Sequence, residues 1–186
     1  MPTLTTAAVC AVTALALYAG HQVGDHIVQR PRDAQAKGLP SDDQLAAGVY
    51  PFTGWDSCLR HCATYLVTQA GFLLLATLAA PIGWRAAIAA LIVSGTTHAV
   101  IDRRWPVRLI IRARGCQDWV DGPYLIDQSL HLAAMFVAAV AAAVVSGPVG
   151  LVVVALAGGL LVPVALLAES RLAATAMAKP GDPFRM

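Results

Sequence analysis

The sequence predicts an all-α protein, a polytopic membrane helix bundle of about five transmembrane helices. Two observations predict it. Hydrophobic residues make up 58% of the 186 residues and charged residues only 13%, against ~25% charged in soluble domains; mean hydropathy is +0.64. Apolar runs also recur at the length of ~20 residues that a bilayer requires, separated by Pro- and Gly-rich turns.

The first span covers residues 4 to 29 and ends at Pro31. The first charged residue is Asp25, so the basic n-region of a cleaved signal peptide is missing and the span is read as uncleaved. Residues 31 to 54, rich in Pro, Gly and Asp, read as an irregular cytoplasmic loop placed to cover something. The second span, 56 to 80, is separated by "APIGW" from the third, 84 to 104. The next connection, 105 to 123, mixes Trp, Leu, Ile and Arg between Trp105 and Trp119, as expected of a segment lying in the membrane interface. The fourth span, 124 to 146, is followed after "SGPVG" by the fifth, 148 to 169, which has no polar group in its interior. Residues 1 to 170 thus form one transmembrane domain, with Glu169 solvated at the cytoplasmic end of the fifth span, and 171 to 186 form a cytoplasmic tail.

Basic residues orient this arrangement. Arg30, Arg32, Lys37 and Arg60 flank the first connection; Arg103, Arg104, Arg108, Arg112 and Arg114 crowd the third; Arg171, Lys179 and Arg185 follow the last span. Of the 13 basic residues, Arg85 alone falls in the other two connections. The positive-inside rule then puts the N-terminus outside and the C-terminus in the cytoplasm. Phosphate binding is a secondary role for Arg103 and Arg104. Cys10, Cys58, Cys62 and Cys116 read as small buried residues, with Cys62 an additional candidate metal ligand.

Three spans carry a His and an Asp four residues apart: His21 with Asp25, His98 with Asp102, and Asp127 with His131; the second span contributes His61. Four residues is slightly more than one helical turn, so each pair projects from one face. On alternating helices all seven groups fall in one layer near the cytoplasmic ends, with each Asp nearer the cytoplasm than its His. A lipid-facing Asp costs ~2.5 to 3.5 kcal/mol on insertion scales, so the seven are expected to face one another. Imidazole and carboxylate together suit a divalent metal, zinc first and manganese or iron next. Four His and three Asp exceed one tetrahedral shell. Either two ions are bound, or some of Asp25, Asp102 and Asp127 orient ligands and act as a general base. His26 lies about 100° round the helix from His21 and is left out. Tyr65 and Gln69 have the spacing to share the site-facing side of the second span, but read first as helix packing.

At "HQVGDHIVQ", "LRHCATYLV", "HAVID" and "LIDQSLHL" the chain resembles the domain of unknown function 3307 family, prokaryotic integral membrane proteins. The resemblance implies a multi-span helical protein of the prokaryotic plasma membrane and brings no established activity. More loosely, the His and Asp spacing is similar to that of membrane-bound metal-dependent hydrolases.

Four functions fit these residues. The first is a metal-dependent hydrolase in the cytoplasmic leaflet, acting on an anionic lipid or lipid-linked phosphoester, with membrane lipids as its partners. The second is a metal-ion permease or sensor, which the apolar outer halves of the spans oppose. The third is a b-type haem protein using two of the four histidines. The last is a non-catalytic scaffold whose polar network sets helix register. No nucleotide loop or zinc-finger spacing is present, and no nucleic-acid partner is expected.

Overall fold

The computed structural model describes residues 3–178; Lys179, Arg185 and the second half of the tail expected from residue 171 lie outside them. Every regular element among the described residues is helical. Helix α1 (Leu4–Val23) is capped by Thr3, whose side chain accepts from the Thr6 amide, and runs into a π-turn at Gly24–Val28. Two short helices follow, α2 (Pro31–Ala36) and α3 (Asp42–Ala46). Then come α4 (Trp55–Ala76), α5 (Trp84–Asp102), α6 (Trp105–Arg114), α7 (Gly122–Val144) and α8 (Pro148–Met177). Helix α8 therefore continues past residue 170, where the sequence predicts a tail.

Four of these helices are long and apolar enough to cross a membrane: Leu4–Val28 with its π-turn, α5, α7 and α8. The 22-residue α4 is long enough but not among the four, because its first half carries Asp56, Ser57, Arg60 and His61. The long helices expose apolar side chains such as Leu15, Leu74, Phe136, Val152, Leu156 and Leu160. A continuous surface of that kind suits lipid rather than water.

Helices α1, α4, α5 and α7 close a ring in which α1 packs on α4 and α7, and α5 packs on the same two; α8 lies outside the ring against α5 and α3. One end of the ring is filled by Val9, Leu17, Leu73, Ala90, Met135 and Ala138. Close approach there relies on small residues: Ala86, Ala89, Ala90, Ala138, Ala139 and Ala142 are all buried. The other end holds the polar groups.

The 31–54 segment is ordered over that polar end, through a set of ion pairs and hydrogen bonds. Ser41 and Gln44 form a reciprocal capping box at the start of α3. The Arg60 guanidinium hydrogen-bonds Asp33 at 2.9 Å, tying α2 to α4 and holding the Asp33 carboxyl below its ordinary pKa. Helix α5 stops because Arg104 takes a left-handed conformation (φ 62°) and Pro106 opens α6.

Arg103 and Glu169 depart from the sequence reading. Both side chains are fully buried, with Arg103 Nε donating to Glu169 Oε1 at 2.8 Å. Trp55 Nε1 donates to Glu169 Oε2 at 2.9 Å, and the guanidinium lies 4.9 Å over the Trp55 ring. Its remaining donors reach the carbonyls of Lys37, Pro51 and Thr53. Glu169 is thus a buried anchor between α8, α5 and α4, not a solvated helix end.

Removing one member of such a pair leaves an uncompensated buried charge. Glu169→Ala is expected to destabilise the protein by about 3–5 kcal/mol, read as a lower thermal midpoint in detergent together with protease cleavage in residues 31–54. A Glu169→Ala protein as stable as wild type would contradict the anchoring role.

Candidate metal centre

Each ring helix delivers one histidine to the polar end: His21 from α1, His61 from α4, His98 from α5 and His131 from α7, each 1–2% exposed. Two carboxylates join them. Asp102 is the last residue of α5, and Asp25 stands in the π-turn that widens the end of α1, where the Gln29 amide bonds back to the Gly24 carbonyl at 3.0 Å. Gly20 and Gly24 let α4 approach: a Cβ at Gly24 would lie 3.0 Å from Tyr65 Cδ2, and one at Gly20 would lie 3.2 Å from the Gln69 Cα.

Four side chains point one atom each at a common centre: Asp25 and Asp102 a carboxylate oxygen, His61 and His98 Nε2. His61 Nε2 lies 3.0 Å from His98 Nε2, 3.2 Å from Asp25 Oδ1 and 3.3 Å from Asp102 Oδ2. His98 Nε2 lies 3.1 Å from Asp102 Oδ2 and 3.5 Å from Asp25 Oδ1. A tetrahedron with zinc-to-ligand bonds of ~2.0–2.1 Å has edges of about 3.3–3.4 Å. Five of the six edges of this cluster match that value to within a few tenths of an ångström. Asp102 Oδ2 is buried and has no hydrogen-bond donor among the described residues, so a cation would satisfy it where the protein does not. The donor set of two imidazoles and two carboxylates suits zinc, with manganese or iron as harder alternatives. His61 Nδ1 and His98 Nδ1 are buried without a partner, a departure from the usual pattern in which a ligating imidazole donates through its other nitrogen.

The other three residues named from the sequence surround this cluster. His131 Nδ1 donates to the Asp127 carbonyl at 2.9 Å, which turns its Nε2 toward Asp102 Oδ1, 3.8 Å away. Asp127 Oδ2 lies 3.4 Å from His131 Nδ1 on the half-buried start of α7. His21 stacks on His131 at 4.9 Å, approaches Gln128 Oε1 at 3.2 Å through Nε2, and lies 3.6 Å from Asp25 through Nδ1. His26 is exposed beside Tyr124. Cys58, Cys62 and Asp102 form a second group that could hold an ion, although Cys58 Sγ donates to the Ala99 carbonyl at 3.5 Å.

Two groups escaped the sequence reading. Tyr65 is more than helix packing, for its ring stacks on His98 at 3.7 Å and its hydroxyl is held by Ser94 and Gln69. The i, i+4 relation of Tyr65 to both His61 and Gln69 was the available signal. Lys37, counted among topology residues, brings Nζ to 2.7 Å from Asp102 Oδ1. Nothing in its local sequence marks it.

The chain matches no family model, no curated protein and no solved structure. The reading of the site therefore rests on its own geometry. A cavity of about 770 Å³ leads from Asp25, Asp102 and Asp127 to a wall formed by residues 35–41, α6 and the start of α7. That volume lies in the range of small-molecule sites.

Adding a methyl at Gly24 would push the Tyr65 ring off His98. Gly24→Ala is expected to lower stability by about 1–3 kcal/mol, seen as a reduced thermal midpoint and a shifted tyrosine absorbance. An unchanged midpoint would mean that the helices do not close on this glycine.

Proposed function

We propose that this protein is a multi-pass protein of the prokaryotic plasma membrane that holds a divalent ion in the His/Asp cluster and uses it to hydrolyse lipid or lipid-linked phosphoesters. The observation that carries the reading is the convergence of His61, His98, Asp25 and Asp102 at tetrahedral spacing inside an apolar helix ring. In this reading α4 also crosses the membrane and brings the spans to five, supported by its place in the ring between α1 and α5. The N-terminus lies outside and the C-terminus in the cytoplasm, as the distribution of basic residues favours. The resemblance to the domain of unknown function 3307 family agrees with such a topology.

When bound, the ion supplies Lewis acidity and lowers the pKa of a coordinated water. Asp25, Asp102, His61 and His98 would hold the ion, the two carboxylates offsetting its charge. Asp127 lines the same cavity, 3.4 Å from His131 Nδ1, and is the general base in this reading. Arg104 and Arg108 on the same wall favour an anionic substrate.

Two other readings fit the geometry less well. Porphyrin needs room between its two axial nitrogens, and His61 Nε2 and His98 Nε2 are 3.0 Å apart. A permease needs a polar route onward, whereas Val9, Leu17, Leu73 and Met135 fill the ring beyond the site.

Elemental analysis of protein purified without chelator is expected to give zinc, manganese or iron at one or two ions per chain. The double variant His98→Ala, Asp102→Ala should lose it, and a metal-free wild type would sink the proposal. Asp127→Asn should keep the ion but hydrolyse short-chain phosphatidic acid at least ~100-fold more slowly. Reporter fusions check the topology: a C-terminal green fluorescent protein should fluoresce, and a C-terminal alkaline phosphatase should be inactive.

A further inference from the structure

The basic residues between α5 and α6 do something more specific than orient the chain. Arg103 Nη1 donates to the Lys37 carbonyl at 2.8 Å, and Arg104 Nη2 to the Ala34 carbonyl at 2.7 Å. Arg108 reaches the carbonyls of Leu39 at 2.6 Å and Pro40 at 3.0 Å. The Leu39 amide in turn donates to the Arg103 carbonyl at 2.8 Å. Arg103, Arg104 and Arg108 thus grip the backbone on both sides of Lys37 as well as at Lys37 itself. Hydrogen bonds to a charged donor are about twice as strong as neutral ones, so the segment from 34 to 40 is held in one place.

That grip delivers a single side chain to the ion site. Lys37 is 6% exposed, and its ammonium lies 2.7 Å from Asp102 Oδ1, the oxygen that does not face the cluster. Among the described residues it is the only cavity-lining cation in contact with a residue of the cluster; Arg104 and Arg108 line the cavity but bond to the strap. An ammonium carries three donors. One goes to Asp102, and among the described residues no other ion pair or hydrogen bond engages the remaining two.

Charge decides what those two donors are for. A divalent ion with two neutral imidazoles and two carboxylates sums to zero, which gives no preference for an anion. Lys37 adds the one positive charge in direct contact with that set; elsewhere on the cavity wall Arg104 and Arg108 add two more against the carboxylate of Asp127, so the loaded site prefers an anion.

Resting on the metal reading above, we infer that Lys37 is an anion-binding residue: the cavity takes a tetrahedral oxyanion, a phosphoryl group, shared between the bound ion and the Lys37 ammonium. The strap of residues 34–40 is then the element that completes the site. A lysine present only to neutralise two buried aspartates would affect metal loading and stability, and would leave phosphate affinity of the loaded protein unchanged.

The test is calorimetric titration of inorganic phosphate into zinc-loaded full-length protein in detergent, with zinc content measured in every sample. Lys37→Met should bind phosphate about 10- to 100-fold more weakly, the loss expected for a charged hydrogen bond, with zinc content unchanged. Lys37→Arg should recover most of the affinity. If the methionine variant does not fold, Lys37→Gln, which keeps a donor for Asp102 without the charge, should show the same loss. A second arm with dihexanoyl phosphatidic acid separates the sources: tighter binding than inorganic phosphate assigns the site to a lipid headgroup, and equal binding assigns it to the free anion. Undiminished phosphate affinity in zinc-loaded Lys37→Met or Lys37→Gln overturns the inference, as does equal affinity in protein stripped of metal. Absence of zinc from the wild type would instead defeat the metal reading itself, and the elemental analysis shows that first.

Discussion

Two carboxylates inside an apolar helix ring must be given positive charge, and the polar half of this protein is organised around that requirement. Asp25 and Asp102 approach two imidazole nitrogens at 3.1–3.5 Å and one ammonium at 2.7 Å. Burial makes each of those contacts strong and makes each missing contact expensive. The same constraint operates a turn away, where Glu169 is buried only because Arg103 and Trp55 reach it. Charge compensation therefore couples helices that are far apart in sequence. Helix α8, outside the ring, packs on α5 and α3, and one carboxylate, Glu169, adds its polar link to α4 and α5.

The consequence is that a loop becomes part of a membrane site. Residues 31–54 contain little apolar material of their own, and Leu45 is their main contribution to a core, packed on Ala173 and Ala176 of α8. Their position is set instead by arginines from the opposite side of the bundle. A connection that composition marks as irregular ends as two short helices covering a cavity of about 770 Å³.

The ring and its histidines were legible in the sequence because both follow from helical periodicity. Apolar runs fix the long helices, and i, i+4 spacing puts His98 and Asp102 on one face whatever their neighbours are. What periodicity cannot reveal is a partner brought from a loop. Lys37, Arg103 and Glu169 are separated by tens of residues, and each alone reads as a charge at a membrane boundary. Tyr65 lay between these cases, visible as a polar group on the right face but silent about the ring it stacks on. Helix α4 shows the limit in the other direction: its ends were readable, but its polar first half kept it below the hydropathy of the other long helices.

The π-turn at Gly24–Val28 has a meaning beyond placing Asp25. A wide turn of this kind holds one residue more than an α-helical turn would, so it acts as a register joint between a rigid span and the chain that leaves it. Above the joint, α1 can keep its packing on α4 and α7; below it, the direction in which residues 29–31 depart is set by the extra residue. Removing one residue there would straighten the helix and swing the following segment by roughly 100°, leaving His21 where it is and pointing the strap away from the cavity. Length variation in this short stretch is therefore a lever on Asp25 and on the covering of the site that leaves the packing of α1 before the turn in place.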